Sequence, residues 1–180
     1  EIFLDNEFQK ELYDLMNRQI ISKIGVSLYS KNEIHKVLES AIKPDVVQLP
    51  MNILDTRLYR SGVLTRLYKK RIEIHIRSAF LQGLFFLPEV ELKTRFSDAV
   101  PYIEKLKFIA AAAGLKLAEL SLLWLISLKE VSRVVVGLEN LNQLKAHIQT
   151  LSNTVEIGVF EEALSIHYEN EKTLNPSLWL

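Results

Sequence analysis

The strongest chemical signal in the sequence is one alternating run, Ile72-Glu73-Ile74-His75-Ile76-Arg77-Ser78. Successive side chains of a strand point to opposite faces, so Ile72, Ile74 and Ile76 share one face while Glu73, His75 and Arg77 share the other. Two further β-type runs end on polar residues, Ser27 and Gln48. A hydroxyl, a carboxamide and a guanidinium at three strand ends supply hydrogen-bond donors and acceptors for a ligand. His75 reads as a hydrogen-bonded interior residue; His35, His147 and His167 read as helix-surface residues. Other chemistries are excluded. There is no cysteine, which removes a thiolate nucleophile, a disulfide framework and a Cys-ligated zinc. The four histidines show no metal-ligand spacing, and neither GxGxxG nor GxxxxGK[ST] occurs. With 22 basic against 22 acidic residues and no basic block, the footprint of a nucleic-acid binder is missing.

These residues need elements to hold them. The 180 residues are 48 % apolar and 24 % charged, the balance of a single globular domain, residues 1–180. Strands are predicted near 23–27, 46–49, 72–78 and 133–137, each followed by a helical pattern. Ser30 with Glu33 forms a capping-box signature for a helix to about Ser40. Further helices are predicted over 7–19, 57–70, 97–113, 117–128, 140–149 and 160–168, with an irregular segment from Pro88 to Phe96. Residues 108–128 are long enough to span a bilayer, but they carry Lys116 and Glu119 and are divided by Gly114. Each central charge costs about 2.5–3.5 kcal/mol on insertion, so two buried helices are expected and no membrane partner. Strand–helix alternation without hairpin turns implies a parallel α/β sheet. Helices on both faces would demand apolar residues on both, so the polar face of the third strand favours a barrel interior over an open sheet.

With those segments placed, the chain resembles the C-terminal half of an aldo-keto reductase. Lys23-Ile-Gly-Val-Ser27 and Asp45-Val-Val-Gln-Leu-Pro-Met-Asn52 are similar to the family's fifth and sixth strands. Arg77-Ser-Ala-Phe-Leu-Gln-Gly-Leu84 is similar to the seventh strand and its cofactor loop, and Ala111 to Trp124 to the helix pair before the eighth strand. Val134-Val-Val-Gly-Leu-Glu-Asn-Leu-Asn-Gln-Leu144 is similar to the eighth strand and the helix after it. The wording around Asn52–Asp55 and Arg77–Gly83 resembles a bacterial branch associated with surface-polysaccharide and sugar metabolism. The resemblance implies four parallel βα units equivalent to the second half of a (β/α)8 TIM barrel. It implies hydride transfer between NADP(H), or NAD(H), and a carbonyl, alcohol or sugar substrate. Carried over by position, Ser27 and Gln48 would hold the nicotinamide carboxamide. Ser78, Phe80, Leu81 and Gly83 would line the pyrophosphate segment, and Gly137 and Gln143 the adenosine end.

Departures from the family pattern shape the expectations. Leu28 replaces an Asn that would touch the carboxamide, and Arg77 stands where an aromatic stacks on nicotinamide. A guanidinium also stacks, but repels the oxidised, cationic ring, which favours the reduced cofactor. Gln143, Ala146 and His147 replace adenosine-side residues, and Glu139 would compete with a 2′-phosphate. The family's Asp, Tyr, Lys and His proton-donating set lies on its first four strands, so no catalytic residue is assigned. The chain alone is expected to be inactive, completed by an N-terminal half or a second copy. Its opening at Glu1, without Met or a leader, reads as a cytoplasmic chain with something removed upstream. The alternative is a non-catalytic half-barrel that binds a ligand or self-associates.

Overall fold

In the computed structural model, which describes residues 2–179, four parallel strands form one sheet in chain order. They are β1 (Gly25–Ser27), β2 (Val46–Pro50), β3 (Glu73–Arg77) and β4 (Arg133–Val134). A doubly wound sheet reverses its order partway; this one does not, so every crossover lies on the same side. Burial records the consequence. Val47, Leu49, Ile74 and Ile76 face the helices at 1 % exposure or less, while Val46, Gln48, Pro50, Glu73, His75 and Arg77 are half-buried on the opposite face, which no helix covers among the described residues.

The helical layer holds α1 (Asn6–Asn17), α2 (Lys31–Glu39), α3 (Arg57–Arg60), α4 (Val63–Lys69) and α5 (Glu89–Arg95). It continues through α6 (Val100–Ala112), α7 (Leu117–Ser127), α8 (Leu141–Thr150), α9 (Ile157–Leu164) and α10 (Glu171–Leu174). The capping box of α2 forms as the sequence predicts, with Glu33 N bonded to Ser30 Oγ and Glu33 Oε2 accepting from Ser30 N. No single helix among the described residues is long and apolar enough to cross a membrane. The apolar stretch is α6 and α7, bent 79° apart, and α7 buries Leu120, Leu122, Leu123, Trp124 and Leu125 in the core.

Several local expectations fail for identifiable reasons. The helix over 57–70 is two, because Gly62 takes φ +71 and turns the chain. The segment 88–96 is not irregular: Pro88 stands at the N-cap of α5, where its missing N–H costs nothing. Glu89 and Glu91 in the first turn and Lys93 and Arg95 in the last suit the helix dipole and pair along the helix. Ser97 caps nothing; Ala99 precedes α6, and Pro101 lies in its first turn. β4 is shorter than 133–137, since β3 ends at Arg77 and leaves little to pair with after Val135 N bonds Ile76 O at 2.7 Å. The tail helix spans Ile157–Leu164, earlier than 160–168, so His167 lies beyond it and Tyr168 turns inward. His35 and His147 lie half-buried on α2 and α8, the first 2.8 Å from Arg66 Nη1 and the second stacked on Phe80.

The C-terminal tail is anchored by packing. Trp179 Nε1 donates to Thr173 O at 2.9 Å, and its ring lies 4.7 Å from Phe96. Asp98 gathers the hydroxyl of Tyr168 and the amide of Asn170, the latter at 2.7 Å. Burial pushes the Asp98 carboxyl up, but hydrogen bonds from Tyr168, Asn170 and Thr173 outweigh it and hold the group below its ordinary value.

Candidate functional site

The register lines polar residues across the open face. Ser27 pairs with Gln48, Gln48 with His75, and His75 with Arg133, one row on the same side of four strands; Pro50 and Arg77 form the next row toward the C-terminal ends. Sequence alternation therefore places Ser27, Gln48 and Arg77 together because parallel pairing keeps the strands in step. Gln48 is half-buried and Ser27 exposed, and both side chains are available to an incoming ligand.

The two ends of this face differ. At the N-terminal end, Glu73 receives His75 Nε2 at 2.9 Å, the Lys23 ammonium, and Arg133 Nε at 3.4 Å. The hydrogen bond from His75, then that from Lys23, hold the Glu73 carboxyl at about 2 against a smaller opposing effect of desolvation. This cluster joins the chain before β1 to β3 and β4, at the end of a parallel barrel sheet that serves stability.

The C-terminal end has the reverse character. Arg77 has no carboxylate within salt-bridge reach among the described residues; its Nη1 lies 3.4 Å from Ser78 Oγ, and its guanidinium carbon sits 4.3 Å above the Tyr29 ring. Its Nη2 is the one buried side-chain polar atom without a hydrogen-bond partner among the described residues. Leaving such a donor unmet costs about 1–3 kcal/mol.

After Arg77 the backbone enters left-handed conformations at Ser78 (φ +61), Leu81 (+47), Gln82 (+51) and Gly83 (+84). Three of these are not glycine, so the turn is strained and must be held by its surroundings. Two residues hold it. Buried Asn52 donates to Ser78 O at 3.2 Å while its Oδ1 accepts from Leu54 N and Asp55 N. Buried Ser121 donates to Ala79 O at 2.8 Å and accepts from Ile53 N at 3.2 Å. Neither was a candidate on chemical grounds, although Ser121, a lone hydroxyl inside the apolar run 117–126, carried the signal.

The structure sorts the remaining candidates. Phe80 and Leu81 point into the core at 8 % and 1 % exposure, so only their backbone can meet a ligand. The Leu81 and Gly83 amides already bond Ser78 O and Phe80 O, which leaves Ser78 as the side chain of that loop best able to bind. Phe80 stacks on His147 at 4.9 Å, bringing the loop against α8 one turn from Gln143. Gln143 is engaged locally, its Oε1 accepting from Glu139 N at 2.8 Å and its backbone N–H donating to Asn140 Oδ1. Gly137 is exposed with open space around it, and apart from the row of strand ends.

A singly wound parallel α/β sheet, with a polar open face and strained loops at its C-terminal end, is the architecture of barrel-type α/β folds. The chain belongs to the aldo/keto reductase family, whose model matches residues 6–166. A thermostable aldo-keto reductase in complex with the inhibitor epalrestat is similar in fold, with a TM-score of 0.67 and 18 % identity over 89 % of this chain and 54 % of that one. The holo form of the aldo-keto reductase AKR11C1 from Bacillus halodurans gives 0.68 and 22 % over 89 % of this chain and 56 % of that one. No curated protein matches. The chain spans little more than half the length of these two structures, and at these identities the likeness is one of fold.

Proposed function

We propose that this chain is the C-terminal, cofactor-binding half of an NAD(P)H-dependent aldo-keto oxidoreductase acting on a carbonyl or alcohol, a sugar among the candidates. The observation that carries the reading is the pairing of Ser27 with Gln48 on an uncovered face at the strand ends. A carboxamide needs a donor and an acceptor together, and an amide beside a hydroxyl provides both. When bound, NAD(P)H supplies the hydride. Ser27 and Gln48 orient the nicotinamide by its carboxamide. Arg77 takes the position beside the ring, where its positive charge favours the neutral, reduced form. Ser78 and the strained turn to Gly83 meet the pyrophosphate, and Gly137 and Gln143 lie toward adenosine. Glu139 disfavours a 2′-phosphate by charge, which keeps NAD a candidate beside NADP.

No residue of the chain is assigned as the proton donor that carbonyl reduction requires close to the developing alkoxide. Tyr59 packs edge-on against Trp124, and Tyr168 is committed to Asp98. The complement is therefore an N-terminal half, or a second copy. Leu141, Leu144, Ile148 and Leu151 are exposed along α8 and at its C-cap, and Val135, just after the edge strand β4, is exposed too, which supports a covering partner. Such a protein works in the cytoplasm. The test is NADPH oxidation by purified chain of verified mass with simple aldehydes. Binding without turnover is the expected result, and enzyme-like turnover would refute the assignment of a missing acid.

A further inference from the structure

We infer that Arg77 is an oxyanion receptor, placed to take a carboxylate or phosphate oxygen at the C-terminal end of the open sheet face. The inference rests on the reading of this end as the ligand-binding end, and extends it to the charge of what binds there. Its basis is an arginine left without an anion. Arg57 is paired with Asp55 through two nitrogens, Arg133 with Glu73 and Arg95 with Glu91; Arg60 and Arg66 meet neutral partners and Arg71 is exposed, whereas Arg77 has only the Ser78 hydroxyl at 3.4 Å and buries an unpartnered nitrogen. The nearest acid along the chain from Tyr29, Glu33, is spent on the amides of Tyr29 and Ser30 at the start of α2. Nη2 is withdrawn from solvent and has no hydrogen-bond partner among the described residues.

The geometry separates two uses of one side chain. A guanidinium stacks through its faces and donates hydrogen bonds in its plane. Tyr29 covers one face at 4.3 Å, so the in-plane N–H groups stay free for an oxygen, with the Ser78 hydroxyl as a neighbouring donor and with buried Nη2 reached only once a covering side chain moves. Tyr29 is itself half exposed and lies in the loop between β1 and α2, so it can turn aside as the ligand enters. A planar, charge-assisted fork of this kind matches a carboxylate or a phosphate. Two sources share that chemistry: the acid group of an oxo-acid substrate, and the diphosphate of a dinucleotide.

The experiment titrates the chain with acetate, inorganic phosphate and inorganic diphosphate at fixed ionic strength. It follows the Arg77 Nε–H and Ser78 amide signals by NMR. The expected result is a saturable shift that weakens at least about tenfold in Arg77→Gln and less in Arg77→Lys, which keeps the charge but loses the fork. Arg71→Gln, an exposed arginine elsewhere, leaves it unchanged. Tyr29→Ala keeps the receptor and uncovers it, so anion binding persists there even if Arg77→Gln folds poorly. Acetate binding that NADPH does not compete away assigns the receptor to a substrate acid, and diphosphate binding that NADPH competes away assigns it to the cofactor. The same affinity in wild type and Arg77→Gln, or no saturable shift, overturns the inference. NADPH binding measured separately by its own fluorescence keeps the cases apart. Anion binding without NADPH binding sinks the cofactor reading alone, and NADPH binding without an Arg77-dependent anion effect sinks the receptor alone.

Discussion

Ser121→Ala tests how the site end of the sheet is held. Ser121 is fully buried in α7, among Leu117, Leu120, Leu122 and Trp124, and its hydroxyl joins the loops after β2 and β3, which Asn52 also links through Ser78 O. It donates to Ala79 O at 2.8 Å in the loop after β3 and accepts from Ile53 N at 3.2 Å in the loop after β2. Alanine removes little volume but strands a carbonyl and an amide away from water. A net hydrogen bond contributes about 0.5–1.5 kcal/mol, and an unmet buried group costs about 1–3 kcal/mol. Since the two groups can partly relax, the loss works out at about 2–4 kcal/mol. That is a large share of the ~5–15 kcal/mol that holds an ordinary domain together. Urea unfolding reads the stability, and hydrogen exchange reads the Ile53 amide, which should lose protection selectively. A destabilisation under about 0.5 kcal/mol with Ile53 still protected would show that this hydroxyl does not tether the loops.

Three further outcomes follow from the geometry. Gly83→Ala should cost about 1–2 kcal/mol, because φ +84 burdens any Cβ, whereas Gly137→Ala, outside that region and in open space, should be near neutral; paired urea melts decide. Glu73 is held at about 2 in the fold against about 4.3 unfolded, so its contribution is complete above about pH 4.3 and disappears as the pH falls through about 2. The stability gap between wild type and Glu73→Gln should therefore close over that window in acid titrations, and a gap independent of pH would remove the carboxylate from the account. Asp98→Ala should free the tail that Tyr168 and Asn170 fasten, seen as early proteolysis after residue 165 and a changed Trp179 emission, while a protease-resistant tail would assign the anchoring to Trp179 and Phe96 alone.

Period-2 alternation at 72–78 makes the two faces of β3 readable directly, and polar residues at 27, 48 and 77 mark one end of the sheet in the sequence itself. Strand order and register then joined them, because sequential parallel strands keep equivalent positions level. What the pattern concealed was tertiary. Ser121 and Asn52 act through backbone groups of distant loops, which no local spacing encodes. The arrest of β4 after Val134 depends on where β3 ends, and the fate of Phe80 and Leu81 depends on a left-handed turn that sends their side chains inward. Pro88 misled because the same residue breaks a helix from inside and begins one from its N-cap.

The central claim is that the paired strand ends receive a nicotinamide dinucleotide, and its most direct measurement is a fluorescence titration of NADPH into wild type and Gln48→Leu. Gln48 sits in register between Ser27 and His75 on the open face, so leucine keeps its approximate volume and removes the carboxamide's partner. Saturable binding by wild type, weakened in the variant by about 0.5–1.5 kcal/mol, or about two- to thirteenfold, is the result this account predicts. Equal affinity in the two proteins would contradict it.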